Sequence, residues 1–73
     1  RMYVIKVDIV GGSLFFTGKK QIIQGGEQPG LTQDISQARI FGDPQKARAF
    51  CRMLIDRYDM DFYYSELPQD GWT

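Results

Sequence analysis

The sequence predicts an α+β fold in which one helix packs on one face of a small antiparallel sheet of three to four strands. Two patterns indicate this fold: residues 2–10 alternate as in a half-buried strand, and residues 44–58 have the apolar period of an amphipathic helix. A chain of 73 residues has room for one core and no second. The expected order is β-β-(β)-β-α-β, in one domain at residues 2–68 followed by a loose tail at 69–73.

The first half of the chain is predicted to form most of the sheet. In residues 2–10, the odd-numbered side chains from Tyr3 to Ile9 are expected to point one way and the even-numbered ones from Val4 to Val10 the other, as in a half-buried strand. Gly11 and Gly12 favour a turn because glycine reaches positive φ at little cost, and residues 14–17 predict the second strand. Residues 21–24 continue the sheet or form a third short strand, with residues 18–20 as a turn. The glycines and the proline of residues 25–37 predict a loop.

The second half predicts a strand, the helix and a last strand. Residues 38–41 are a short apolar segment and predict a strand. Asp43 is the expected helix N-cap, and Pro44 stands in the first turn, where its missing N–H costs nothing. The helix pattern ends near Asp59. Residues 61–67 then predict a last strand that Pro68 stops.

The inventory of reactive side chains predicts that the protein is not an enzyme. Histidine is absent, so the commonest general base and metal ligand are both missing. Cys51 is the only cysteine, which excludes an internal disulfide and a cysteine-rich zinc site. Its place on the apolar helix face predicts a small buried hydrophobe with a raised thiol pKa. We expect no catalytic residues, no cofactor and no metal.

Two motifs come close to known sites but lack an essential part. Residues 25–32 nearly match the phosphate loop GxxxxGK[ST], but Leu31 stands where the lysine must be. Asp56, Asp59 and Asp61 offer hard oxygen ligands, but their spacing matches no calcium loop. An ordinary loop and solvated helix-end charges are the better interpretations.

The last part of the chain predicts a protein-binding surface. From residue 58 onward there are four acidic and no basic side chains, interleaved with aromatic ones. Exposed aromatic side chains supply contact energy at low entropic cost, and carboxylates steer a protein towards basic partners. The same charges also suit a solvated edge strand that they protect from aggregation. The predicted partner-binding residues are Asp59, Asp61, Tyr63, Tyr64 and Glu66.

The alternative prediction is a small nucleic-acid-binding or regulatory module. Its basic side chains would be Lys19, Lys20, Arg48 and Arg52. Aromatic residues alternate through the predicted strands, so an exposed sheet face has rings on which bases could stack. A formal net charge of zero argues against a strong general binder of polyanions.

The composition also predicts a compartment and an oligomeric state. No apolar run is long enough to span a membrane, and no basic-then-apolar segment opens the chain. With a single free thiol, a soluble cytoplasmic protein is expected. Met2 follows Arg1 directly and is expected to be the natural first residue. A homodimer stays open as well, because pairing two sheet edges would enlarge a thin core.

Several short segments resemble short phage and mobile-element proteins of uncharacterised function. They are Tyr3-Val4-Ile5-Lys6, Phe15-Phe16-Thr17-Gly18, Asp34-Ile35-Ser36-Gln37-Ala38-Arg39-Ile40-Phe41, Lys46-Ala47 and Phe50. Some proteins of that kind are anti-CRISPR or other counter-defence inhibitors, which bind a host nuclease complex without chemistry. The resemblance therefore implies an inhibitor of a host protein, such as a CRISPR effector that handles nucleic acid.

Overall fold

A computed structural model describes residues 1–67 of the chain. Its elements are β1 (Tyr3–Ile9), β2 (Gly12–Ile23), β3 (Gly26–Thr32), a 3₁₀ turn (Ile35–Gln37), α1 (Pro44–Tyr58) and β4 (Tyr63–Glu66). The strands form one antiparallel sheet in the order β3-β2-β1-β4, and α1 packs on one of its faces. The predicted α+β fold is confirmed. The tail predicted at 69–73 lies outside the described residues.

The core lies between α1 and the sheet, as the two periodic patterns predict. Ile5 and Val7 of β1 are buried against α1, which confirms their predicted direction. Val4 points to the opposite face, yet it is only 1% exposed and lies outside this cluster. The other buried members of the core are Phe16, Phe41, Ala47, Cys51, Leu54 and Phe62.

The second strand is longer than predicted. Residues 14–17 and 21–23 belong to one strand, Gln24 lies in the turn that follows it, and the turn predicted at residues 18–20 is instead a bulge between Phe16 and Lys20. Gly18 has φ 89°, a conformation that serves a bulge as well as a turn. Gly18 therefore does adopt the positive φ that glycine favours, but the chain bends there and continues as the same strand.

The loop predicted at residues 25–37 is wrong for its first half, because Gly26–Thr32 forms β3. In the part of the chain that the structure describes, this strand pairs with β2 alone and lies at the edge of the sheet. An edge strand tolerates Pro29, whose missing N–H would break the ladder of a central strand. The rest of the segment forms the 3₁₀ turn, where the Ser36 amide donates to Asp34 Oδ1 at 3.0 Å.

The strand predicted at residues 38–41 is also wrong. Phe41 forms only an isolated bridge to Tyr3, through two backbone hydrogen bonds of 2.8 Å. The Arg39 amide donates to the Phe16 carbonyl at 2.8 Å. The segment thus connects β1 and β2 where their own pairing has ended, and its apolar side chains mark core packing by Phe41 instead of a full strand.

The helix has the predicted bounds and cap. The Gln45 amide donates to Asp43 Oδ1 at 2.9 Å, which satisfies one of the free donors of the first turn. At the other end Asp59 takes the left-handed conformation, with φ 55°, and its amide donates to the Ile55 carbonyl at 2.9 Å. Within residues 1–67 no helix has both the length and the apolar character needed to cross a membrane.

A polar cluster around Glu27 joins β3 to the last turn of α1. Arg57 donates to the Glu27 carboxylate from Nε at 2.7 Å and from Nη2 at 3.1 Å. The Tyr58 hydroxyl donates to it at 2.6 Å, and Lys20 Nζ lies 3.7 Å away. The hydrogen bond from Tyr58 and those from Arg57 hold the pKa of Glu27 below its ordinary value of 4.5. The cluster anchors an edge strand that has little apolar surface of its own.

The Glu27 cluster predicts a loss of stability in acid. Because folding lowers the pKa of Glu27, its contribution is complete above about pH 4.5 and disappears as the pH falls through the folded-state pKa. Urea midpoints measured from pH 7 to pH 3 are expected to fall for the native chain and to fall less for Glu27→Gln. Asp8 and Asp34 also have lowered pKa values. The urea midpoint of Glu27→Gln is therefore still expected to fall with decreasing pH, but less steeply. Equal slopes in the two proteins would contradict this role of Glu27.

Candidate protein-binding site

The five residues predicted to bind a partner lie along the end of α1 and the strand that follows it. Asp59 ends the helix, and Asp61 is exposed in the connection to β4. Tyr63, Tyr64 and Glu66 belong to β4, which lies at the edge of the sheet next to β1. The structure therefore places all five in one continuous segment at one side of the molecule.

The alternation of β4 divides these side chains between the two faces of the sheet. Tyr63 lies opposite Lys6 and faces away from α1. Tyr64 lies opposite Ile5 of the core and Glu66 opposite Tyr3, so both lie on the face that carries α1. What the predicted residues share is an edge, not a face.

Tyr63 is held in place on the open face of the sheet. Its hydroxyl donates to Asp8 Oδ1 at 2.7 Å, and the Ser13 hydroxyl donates to the same oxygen at 3.0 Å. These hydrogen bonds lower the pKa of Asp8, and the bond to Asp8 raises the pKa of Tyr63. Lys6 Nζ lies 5.6 Å from the centre of the Tyr63 ring and 5.8 Å from that of Phe15. These contacts hold the Tyr63 ring against the open face of the sheet.

Tyr64 and Glu66 occupy the other face of β4. The rings of Tyr64 and Tyr3 meet edge to face, with their centres 6.1 Å apart, and 37% of Tyr64 stays exposed. Glu66 forms an exposed ion pair with Arg1 at 3.2 Å, a contact that adds little stability in water. Tyr64 therefore presents a packed ring with an accessible side.

Within residues 1–67, the outer edge of β4 has backbone groups that no other strand uses. The Leu67 amide donates to the Met2 carbonyl at 2.7 Å, which continues the register of β1 and β4. Since the residues of an antiparallel strand alternate between facing and leaving the neighbouring strand, Ser65 also bonds to β1. Tyr64 and Glu66 then direct their N–H and C=O groups outward. These four groups can pair with another strand.

The two edges of the sheet differ in how well they accept an added strand. At the β3 edge, Pro29 has no N–H to donate, and proline at an edge discourages strand pairing. At the β4 edge, residues 63–66 contain no proline or glycine. The β4 edge is the better docking strand.

A groove of about 750 Å³ runs between α1 and the beginning of β4. Its α1 side carries two guanidinium groups, those of Arg48 and Arg52, one helical turn apart. Phe62, Tyr63 and Tyr64 form the other side. Within residues 1–67 the lining consists of Gln45, Arg48, Ala49, Cys51, Arg52, Ile55, Phe62, Tyr63 and Tyr64.

Cys51 lies at the base of this groove but has the properties of a packing residue. It is buried, and burial raises the pKa of its thiol to about 11. The sulfur therefore stays protonated near neutral pH and is a poor nucleophile. Among residues 1–67, no three acidic, cysteine or histidine side chains converge on a point that could hold a metal ion.

The structure separates the basic residues of the alternative prediction. Lys20 pairs with Glu27 in the cluster beside Arg57, at the β3 side of the sheet, and Lys19 is its exposed neighbour in β2. Arg48 and Arg52 line the groove at the β4 side. Lys19 and Lys20 thus lie towards the β3 edge of the sheet, and Arg48 and Arg52 lie towards the β4 edge. The two pairs do not form one basic surface.

Sequence reasoning missed the combination of Arg48 and Arg52 with the tyrosines of β4. Charge along the chain assigned the arginines to a basic segment and the tyrosines to an acidic one. The available signal was the four-residue spacing of the arginines beside the apolar stripe, which places them on one flank of α1. Only the position of β4 showed which flank that was.

Comparisons of the chain with protein-family models, curated proteins and solved structures gave no match. The proposed function therefore rests on the geometry of the β4 edge and the groove beside it.

Proposed function

We propose that the protein is a non-enzymatic binding protein that docks a partner protein along the free edge of β4. The observation that carries this proposal is the position of the backbone N–H and C=O groups of Tyr64 and Glu66, which point away from β1 and lie next to the groove. Strand addition uses such backbone groups for affinity and neighbouring pockets for specificity. Here the edge and the groove lie side by side.

The tyrosines of β4 supply the anchors for such a complex. Tyr63 is held by Asp8, and Tyr64 packs against Tyr3, so neither ring loses much conformational freedom on binding. Partly exposed, pre-ordered aromatic side chains are the typical energetic centres of protein interfaces. This fits a role in contact better than a role in chemistry.

The exposed carboxylates at the rim of the site are proposed to steer association. Asp59, Asp61 and Glu66 are exposed, and charges at a rim change association rates more than they change final affinity. A partner with basic groups at the corresponding rim would be drawn to this side of the molecule. The groove itself carries positive charge, from Arg48 and Arg52.

The biological role that we propose is inhibition of a host protein, in line with the resemblance to phage and mobile-element proteins. A small domain seated on a nucleic-acid-handling complex, a CRISPR effector among them, would exclude its substrate without chemistry. The free thiol of Cys51 favours a cytoplasmic setting. Direct binding of nucleic acid is the less favoured function, because Lys20 is paired with Glu27 at the β3 edge of the sheet, whereas Arg48 lines the groove beside β4.

A proline substitution in β4 tests the use of its backbone. Glu66→Pro removes an N–H that points outward and leaves the bonds between β4 and β1 intact, since edge strands accept proline at such positions. We expect the affinity for a partner captured from host lysate to fall about two- to tenfold for the loss of one hydrogen bond. Titration of the purified partner with each variant measures this change.

The matched control is Glu66→Gln, which loses the same charge and the same ion pair to Arg1 but keeps the amide. Its affinity is expected to stay within about twofold of the native value. Where Glu66→Pro lowers the melting temperature strongly, Tyr64→Ser replaces it as the test of this edge. Full affinity in folded Glu66→Pro and Tyr64→Ser proteins would refute docking at β4.

A further inference from the structure

Two arginines of α1 line the groove and have no ion-pair partner within residues 1–67. Arg48 and Arg52 are exposed and line the groove, and the ion pairs found among residues 1–67 involve neither of them. The other residues that line the groove in the described part of the chain are uncharged: aliphatic, aromatic, thiol or amide. A ligand that fills the groove and carries carboxylates would supply the missing charge.

The spacing of the arginines matches that of alternate residues in a strand. Residues four apart in a helix are separated by about 6 Å along its axis. Side chains two apart on one face of a strand are separated by about 6.6 Å. A strand laid along β4 beside α1 would therefore bring two carboxylates, two residues apart, to Arg48 and Arg52 in turn.

The direction of the ligand follows from the short connection between α1 and β4. Four residues, 59–62, separate Tyr58 from Tyr63, and α1 lines the groove from Gln45 to Ile55 together with Tyr63 and Tyr64. We infer from these two observations that β4 runs back beside the helix, antiparallel to it. A segment added antiparallel to β4 then runs in the same direction as α1. Its groove-facing residues meet Arg48 first, Arg52 next and Ile55 last.

We propose that the occupant of the groove is an extended acidic segment of a partner protein, which adds to β4 as a fifth strand. Its pattern is acidic-x-acidic-x-aliphatic, with the carboxylates on Arg48 and Arg52 and the aliphatic residue near Ile55. This inference rests on the proposed docking edge and names the chemistry of the partner. Carboxylates suit guanidinium groups because two parallel hydrogen bonds can form with each.

The test is the binding of defined peptides to the full chain by fluorescence anisotropy. The probe is a labelled nine-residue peptide with glutamate, glutamate and valine at alternate central positions and threonine elsewhere. A second probe has lysine in place of each glutamate, and a third has the order of the three central residues reversed. We expect the first probe to bind best, and its affinity to fall as salt is raised.

Charge reversal on α1 gives the matched variants. Arg48→Glu combined with Arg52→Glu is expected to weaken the glutamate probe by at least about tenfold, as two charge pairs become repulsive. Lys46→Glu makes the same kind of change on an exposed residue of α1 that does not line the groove. Its affinity is expected to stay within about twofold of the native value. Where the double variant is unstable, Arg52→Gln alone is measured.

Several results would overturn the acidic-strand inference. If the lysine probe binds as tightly as the glutamate probe, or if Lys46→Glu lowers the affinity as much as the double variant does, then Arg48 and Arg52 do not bind the carboxylates of the ligand. A concentration-dependent dimer that Glu66→Pro abolishes would show that a second copy fills the edge. A labelled oligonucleotide that binds with the same dependence on Arg48 and Arg52 would assign these residues to nucleic acid.

The inference and the proposed function fail separately. If Glu66→Pro weakens capture of a partner while the glutamate probe does not bind, docking at β4 stands and the acidic ligand is wrong. If the probe binds but Glu66→Pro changes neither probe nor partner binding, the groove takes acidic ligands without strand addition.

Discussion

Replacing Leu54 by alanine is expected to lower the free energy of unfolding by about 2–5 kcal/mol. Leu54 is 2% exposed and lies at the centre of the contact between α1 and the sheet. The loss combines the transfer energy of the removed carbons with the cavity that they leave. A domain of 73 residues has about 4–11 kcal/mol in total, so this one substitution removes a large share.

Met53→Ala is the matched control for Leu54. The two residues are adjacent in the same helix, but Met53 is 40% exposed, and its truncation is expected to cost within about 0.5 kcal/mol. Urea denaturation of both variants measures the difference. Similar midpoints for Leu54→Ala and Met53→Ala would contradict the position of the core.

The second large effect is expected at Gly30, where β3 passes the bulge of β2. A Cβ atom added to Gly30 would overlap the Thr17 hydroxyl and would lie 2.7 Å from the Lys19 carbonyl oxygen. The hydroxyl can rotate away, but the backbone carbonyl is held by the bulge. Gly30→Ala is therefore expected to cost about 1–3 kcal/mol, the usual range for overpacking.

Gly26→Ala separates this overlap from a general effect of glycine in a strand. Gly26 begins β3, and its added Cβ would lie 3.6 Å from the Ile23 carbonyl oxygen, an ordinary contact. Alanine there restricts the unfolded chain and is expected to stabilise by about 0.4–1 kcal/mol. The free energy of unfolding is thus expected to fall for Gly30→Ala and to rise for Gly26→Ala, although both residues belong to β3. A neutral result at Gly30 would show that β2 and β3 do not approach as closely as described.

The parts of the fold that sequence could predict are those whose signals are local and periodic. The helix has a cap at Asp43, a proline at its first position and an apolar stripe, and each agrees with the others. Strand β1 has an alternating sequence, and Ile5 and Val7 on one of its faces pack against α1, although Val4 on the other face is buried as well. In both cases local preference and tertiary packing select the same structure.

The errors occurred where tertiary contacts override local preference. β3 contains two glycines and a proline, and its place in the sheet is fixed by its pairing with β2 and by the hydrogen bonds from Arg57 to Glu27. Residues 38–41 look like a strand, but only Phe41 bridges to β1. No window of sequence shows which neighbour a segment will meet.

The residues of the candidate site come from the sequence, but their geometry does not. Aromatic and acidic side chains in residues 59–66 predict a partner-binding segment, and that assignment stays a prediction. Whether Tyr64 and Glu66 present free backbone groups depends on the pairing of β4 with β1 and on its place in the strand order. The positive groove depends on which flank of α1 faces that strand.

Amide hydrogen exchange at three consecutive residues of β4 tests the central claim most directly. In the free protein, the Tyr64 and Glu66 amides are expected to exchange quickly, while the Ser65 amide, bonded to β1, is slow. With a saturating partner, all three are expected to be slow, since the added strand accepts the two outward hydrogens. Unchanged exchange of Tyr64 and Glu66 in a fully formed complex would show that the protein does not bind by its edge.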